Sequence, residues 1–328
     1  MGYRHLPNTI VSAAAADESW TATHPLSPHD QAVVTGLRAM VEPNKGKLRG
    51  IAAREPFDAI IGRTAAPEDV SYQEDRIGGL SGWWCVPAAA LPGAAIVHFH
   101  GGWFNWGASK AFRHLVGHIA RSASVSAFVP DYRLAPENPF PAAVDDAQAC
   151  LRDLAQRNIR SLAVTGDSAG GNLALTVLPR LAAASSHGGI RPVGAAVLSP
   201  VTDLTLSGQT WESLAETDPY FLKDQAESLV DAYLGGHPPT DPVASPLYGD
   251  LTGLPPIRVH VGGAEVLLSD SLRYVARAVA AGVDAKVDVW EGMPHGYVGA
   301  VGRMEAAGRT LEAIGAFLSA QFDRALAA

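Results

Sequence analysis

Short, continuous apolar runs alternate with helix-length stretches from residue 94 to the C-terminus, and this alternation leaves few folds open to the chain. Ala94–Phe99, Val125–Val129, Ser161–Thr165, Val193–Leu198, Ile257–Val261 and Lys286–Trp290 read as strands. Ser109–Ser122, Ala142–Gln156, a run from Ala169, Leu268–Ala281 and Glu305–Leu326 read as helices. Strands that are apolar throughout are buried on both faces, and crossover helices provide the cover. The pattern therefore predicts an α/β fold with a mostly parallel central sheet flanked by helices. Upstream, Val70–Glu74 and Leu80–Val86 flank a Gly78-Gly79 turn and predict an antiparallel start to that sheet. The alternation lapses between Leu198 and Pro256. There, a helix near Lys223–Leu234 and prolines at 238, 239, 242 and 246 mark an insertion over about 203–250. Pro179 falls inside the helix begun at Ala169 and is expected to kink it.

The first 65 residues follow another rule. Residues 1–25 are rich in Ala, Thr and Pro without a period, as in a loose arm or a strap. Pro28–Val41 carries Val33, Val34, Leu37, Met40 and Val41 at helical spacing, with Ser27 as N-cap and Pro28 in the first turn. The segment 44–67 is mixed and weakly helical.

Composition narrows the function. Lys+Arg 25 against Asp+Glu 33 gives −8, which argues against a nucleic-acid partner. No apolar run nears the roughly 20 residues that span a bilayer, so membrane insertion is not expected. Ala13–Ala16 runs straight into Asp17 and Glu18 and lacks the apolar core of a signal peptide, which points to the cytoplasm. Cys85 and Cys150 are the only cysteines. They cannot form a disulfide framework or a four-cysteine zinc site, and two free thiols are expected.

Gly166-Asp167-Ser168-Ala169-Gly170 matches G-x-S-x-G between a strand and a helix. That context exposes a serine oxygen on a sharp turn at a helix N-terminus. His100-Gly101-Gly102-Trp103 follows the strand Ala94–Phe99, where glycines leave backbone N–H groups free to stabilise an oxyanion. A serine nucleophile needs a base, and the base needs an orienting acid, in the chain order Ser, acid, His. His295 lies in the Gly- and Pro-rich loop after Lys286–Trp290, on the edge where open α/β sheets bind ligands. Glu265 is the first carboxylate after Ile257–Val261, with Asp270 as the alternative acid. His98 with His100, and His114 with His118, have spacings that can bind zinc, but no His/Asp cluster accompanies either pair. No dinucleotide or Walker motif occurs. No metal or cofactor is expected.

These motifs resemble those of the hormone-sensitive-lipase-like bacterial esterases of the α/β-hydrolase superfamily. The matching segments are residues 98–104 around His-Gly-Gly, 131–137 (Asp-Tyr-Arg-Leu-Ala-Pro-Glu), 140–146, 166–172, 199–204 and 295–297. They stand in the family's order. The resemblance implies an α/β-hydrolase fold with residues 1–65 as an N-terminal helical cap and 66–328 as the catalytic domain. It implies Ser168 as nucleophile and His295 as base. Glu265 takes the acid's place when Tyr274 is matched to the family's tyrosine, whereas matching the preceding glycine puts Ala264 there. The oxyanion hole falls to Gly101, Gly102, Trp103 and Ala169. Trp103 replaces the family's third glycine, and an aromatic at this place also occurs in kynurenine-formamidase-like hydrolases. Asp131, Arg133 and Asp203 are structural in the family. Homodimers are common in it, often through the last strand and helix.

The expected reaction is hydrolysis of short- to medium-chain, fairly apolar esters through an acyl-enzyme. Trp103, Trp106, Trp211, Tyr220 and Phe221 are candidates for the apolar pocket wall. The same machinery leaves lactones, carbamates and formamides open. A non-catalytic small-molecule receptor would have lost the base, and here both Ser168 and His295 are present.

Overall fold

The computed structural model describes residues 19–185 and 189–327. The readings placed on residues 1–18, including the missing signal-peptide core, lie outside the described residues. The chain opens with β1 (Thr21–His24), α1 (Pro28–Val41) and α2 (Arg54–Ile61). A hairpin follows, β2 (Val70–Ile77) and β3 (Leu80–Pro87). The alternating part runs β4 (Ala94–Phe99), α3 (Ser109–Ala123), β5 (Ala127–Pro130), α4 (Ala142–Gln156), β6 (Ser161–Asp167), α5 (Ala169–Ser185) and β7 (Arg191–Leu198). The insertion carries α6 (Thr210–Ser213) and α7 (Lys223–Leu234). The chain closes with β8 (Ile257–Gly262), α8 (Leu268–Ala280), β9 (Ala285–Trp290) and α9 (Glu305–Leu326).

Among the described residues nine strands form one sheet in the order β1-β9-β8-β7-β6-β4-β5-β3-β2. β3 is antiparallel to both β2 and β5, and every other pairing is parallel. Strand alternation splits the core into two layers. In β4, Ala95, Val97 and Phe99 face one cluster with Leu173 and Leu178 of α5. Ala94 and Ile96 face the other, with Ile119 of α3 and Ile314 of α9. Every residue of β4 is buried, which is why its apolar run has no period.

Two local expectations differ from the structure, at β5 and at the N-terminal strap. β5 starts at Ala127 rather than Val125, because the Val125 N–H is taken by the Ala120 carbonyl, with Ser124 left-handed at the end of α3. α5 continues through Pro179 to Ser185. The N-terminal strap is a strand: β1 pairs in parallel with β9 from Thr21↔Val287 to His24↔Trp290. Any pairing of two copies along this edge would therefore run through β1.

Polar contacts pin the N-terminal region to the body. The Ser27 side chain accepts the Asp30 N–H, as an N-cap should. The Asp30 carboxylate is itself buried and caps a different helix, taking the N–H groups of Glu305 (2.7 Å) and Ala306 (2.9 Å) at the start of α9. His24 Nε2 lies 2.6 Å from Asp288 Oδ1, and its ring stacks on Trp290. Residues 45–54 are bonded to the loop after β4, the loop after β5 and α7. Trp106 donates to the Gly50 carbonyl and Arg54 to those of Asn105 and Ala135, while Gln225 of α7 donates to the Leu48 carbonyl. Among the described residues, no helix is long and apolar enough to cross a membrane.

Removing a cap that serves two N–H groups costs roughly 1–2 kcal/mol. Asp30→Ala should lower unfolding free energy by about that amount in a urea titration, at unchanged m-value.

Candidate active site

Ser168 stands where β6 turns into α5, and its φ of +56° is left-handed. Such a conformation costs on the order of 1–3 kcal/mol in a non-glycine residue and survives only where the surroundings over-determine it. Here the turn closes so tightly that a Cβ on Gly166 would overlap the Gly170 carbonyl. A Cβ on Gly170 would overlap the carbonyls of Phe99 and His100. The backbone of Ser168 is held from both sides, its N–H donating to Leu198 (2.8 Å) and its carbonyl accepting from Val201 and Asn172. Asn172 in turn donates its side-chain amide to the carbonyls of Val201 and Ala244, tying the elbow to the insertion.

The loop after β4 packs directly on this elbow. Gly101 donates its N–H to Asp167 Oδ1 at 2.9 Å, and a side chain there would collide with that carboxylate. This corrects the expectation for Gly101: its N–H is already spent, so it anchors the loop instead of binding an oxyanion. Asp167 is held by His98, whose Nε2 is 3.2 Å away and whose Nδ1 is 3.0 Å from Thr165 Oγ1. Beyond Gly101 the backbone is left-handed at Trp103 (φ +55°) and Phe104 (φ +60°). Tryptophan thus adopts a conformation that glycine takes without strain. Asn105 keeps it there by donating to the Trp103 carbonyl at 2.6 Å. Among the described residues, the N–H groups of Gly102, Trp103 and Ala169 have no acceptor. These three remain for an oxyanion.

His295 and Glu265 end neighbouring strands. Gly263 donates to the Trp290 carbonyl and Ala264 to that of Met293, bonding the loops after β8 and β9 together. His295 Nδ1 faces Glu265 Oε2 at 3.3 Å, which leaves Nε2 free of the carboxylate. Glu265 is fully buried and His295 is 14% exposed. Burial pushes the Glu265 carboxyl above its usual range, eased by His295 and the Ser199 hydroxyl. Burial alone would lower His295. The charge of Glu265, helped by Asp218 and Asp167, outweighs it and raises the imidazole above its ordinary value. Asp270 is committed elsewhere: its Oδ2 accepts the N–H groups of Thr202 and Asp203, and burial pushes its pKa up to about 7. Glu265, rather than Asp270, thus stands beside His295, and Ala264 has no carboxylate to offer.

The aromatic candidates separate. Phe221 lies edge-on to the His295 ring with centroids 5.0 Å apart, and edge-on to Trp103 at 5.5 Å. Trp211 is 6.2 Å from Trp103, and Tyr220 is 6.3 Å from Phe221. Trp106 instead packs on Phe57 and bonds Gly50, so it holds the N-terminal region rather than the wall around His295. The paired histidines also have other partners. His114 and His118 bond the carbonyls of Thr64 and Ala65, and His100 stacks between Phe112 and Tyr132. No group of three metal-binding side chains occurs among the described residues. Asp131 caps α3 at the Ser109 N–H, Arg133 grips Asp146, and Asp203 grips Arg273. Sequence reasoning left Asp167 and Asp218 without a role. The x of G-x-S-x-G could have drawn attention to Asp167; nothing in the sequence marks Asp218.

Comparison with known proteins agrees with the fold. A family described as alpha/beta hydrolase fold matches residues 96–299. An acetyl-hydrolase of Streptomyces hygroscopicus is 34% identical over 246 residues, 74% of this chain and 80% of that protein. An esterase of Acinetobacter venetianus is 32% identical over 78% of this chain and 85% of its own length. A crystal structure of an esterase from the bacterial hormone-sensitive lipase family superposes with a TM-score of 0.82 at 34% identity, covering 90% of this chain and 99% of that one.

The imidazole must be neutral to accept a proton, and its pKa is raised above 6.5. The rate should therefore fall as pH drops through the raised pKa of His295. Glu265→Gln removes the charge that favours imidazolium, so this acid limb should move to lower pH while kcat falls by about 10²–10⁴. Asp270→Asn should leave the limb in place. A limb that moved with Asp270 instead would reverse the assignment.

Proposed function

The chain belongs to the α/β-hydrolase family, in its hormone-sensitive-lipase-like branch, and on that premise we propose that it hydrolyses carboxylic esters through an acyl-enzyme on Ser168. The observation that carries this reading is the elbow: a serine forced to φ +56° beside three N–H groups that lack acceptors. Ser168 Oγ attacks the ester carbonyl while His295 Nε2 takes its proton. Glu265 holds the other ring nitrogen and stabilises the imidazolium. The carbonyl oxygen becomes an oxyanion and settles among the N–H groups of Gly102, Trp103 and Ala169, each worth roughly 3–4 kcal/mol where the donor is strong. His295 returns the proton to the departing alcohol. Water, deprotonated by the same imidazole, then attacks the acyl-enzyme and releases the acid and Ser168.

We place the acyl preference at the short end. Trp103 occupies the third-glycine position of the oxyanion loop, and its indole is buried against Phe221 and Trp211. A ring of that size beside the reacting carbonyl shortens the space for an acyl chain. The similarity to an acetyl-hydrolase supports the same choice. The crowding also favours a second substrate class, N-formyl amides, whose acyl group is smaller still. A reducing compartment such as the cytoplasm fits Cys85 and Cys150, both buried free thiols.

The test is a p-nitrophenyl ester series from acetyl to dodecanoyl. Activity should peak at the short esters and vanish in Ser168→Ala. Trp103→Gly should raise the rate on octanoyl relative to acetyl by at least about tenfold. A wild type that already prefers octanoyl would refute the role given to Trp103. Formamide turnover without ester turnover would favour the second substrate class.

A further inference from the structure

Asp218 is a fully buried carboxylate in the insertion, outside every motif. Its Oδ1 accepts the N–H groups of Tyr220 (2.8 Å) and Phe221 (3.1 Å), and its Oδ2 accepts that of Val266 (3.0 Å). Val266 directly follows Glu265, and the Phe221 ring packs edge-on against His295. One side chain thus holds the loop that backs the base and the loop that carries the acid. The N-terminal region grips the same place. Lys45 Nζ donates to the carbonyls of Ala215 and Asp218, and the Gly46 N–H to that of Tyr220.

We propose that Asp218 is a positioning residue for the hydrolytic reaction, fixing the Phe221 ring on His295 and the Glu265 loop in a single register. The proposal rests on the ester-hydrolase reading above. Hydrogen bonds to an ionised acceptor are roughly twice as strong as neutral ones. Three of them on one carboxylate make this joint stiffer than loop packing alone. The charge also matters. Glu265, Asp218 and Asp167, all acidic, together favour the His295 imidazolium against burial. Asp218 therefore supports the base both through Phe221 and through its field.

Two variants separate these effects from general damage to the fold. Asp218→Asn keeps the shape and one acceptor oxygen but loses the charge. Phe221→Leu leaves the Asp218 hydrogen bonds to backbone untouched. Both are followed through the pH dependence of kcat/KM on p-nitrophenyl acetate, with active sites counted by a fluorophosphonate. Asp218→Asn should move the acid limb to lower pH by about half a unit or more. Its kcat per titrated site should fall about tenfold or more, with KM changed less. Phe221→Leu should also move the limb to lower pH, because water admitted beside the ring screens the Glu265 charge that favours the imidazolium. Limbs that stay at the wild-type position, with activity lost only in proportion to titratable sites, would overturn the proposal. If Asp218→Asn does not fold, Asp218→Glu takes its place: it keeps the charge but displaces the carboxylate, so kcat per titrated site should fall about tenfold, and an unchanged kcat would overturn the proposal. Wild-type turnover and its loss in Ser168→Ala are measured first. Their absence would sink the ester reading itself, whereas their presence with unmoved limbs would sink only the role of Asp218.

Discussion

Gly170 runs so close to the ends of β4 that its missing side chain is a condition of the whole arrangement. That contact presses the turn after β6 onto the loop after β4. With the helix start fixed there, Ser168 has no room to relax out of its left-handed conformation. The same contact brings Asp167 to the Gly101 N–H, which sets the height of the next residues of the loop. Gly102 and Trp103 are then left with N–H groups that no protein acceptor satisfies. A strained serine and unsatisfied donors are both costs to folding, and both result from one close approach between two strand ends. The parallel sheet makes the approach possible because β4 and β6 are neighbours and end side by side.

The other half of the site depends on a balance between burial and charge. Desolvation disfavours both imidazolium and carboxylate, so His295 and Glu265 stabilise their charged forms only through each other and through nearby groups. The acidic residues around His295 come from different elements: Glu265 after β8, Asp167 at the end of β6, and Asp218 in the insertion. The base is therefore tuned by the sheet and by the covering segments together. The N-terminal region and the insertion meet near Asp218, where Lys45 donates to the carbonyls of Ala215 and Asp218, and again where Gln225 donates to that of Leu48. β1 on the sheet edge and Asp30 at the start of α9 tie the N-terminal region to the body.

The alternation of apolar runs with helical stretches determined the sheet and its flanking helices, because burial on both faces demands residues that are apolar without a period. The G-x-S-x-G and His-Gly-Gly motifs were legible for a similar reason: each needs glycine where a Cβ cannot fit, a local steric demand. β1 escaped notice because four residues, Thr-Ala-Thr-His, carry almost no pattern, and their strand exists only through pairing with β9. The choice of Glu265 over Asp270, the loss of Gly101 to Asp167, the turning of Trp106 towards the N-terminal region and the joint at Asp218 were not readable in this way. Each depends on which groups, tens to hundreds of residues apart in sequence, arrive within about 3 Å of one another. Periodicity and steric need are written in neighbouring residues, so the sequence alone settles them. Hydrogen-bond partners across strand ends, and the charges that set the pKa of His295, are settled only once the sheet has brought those ends together.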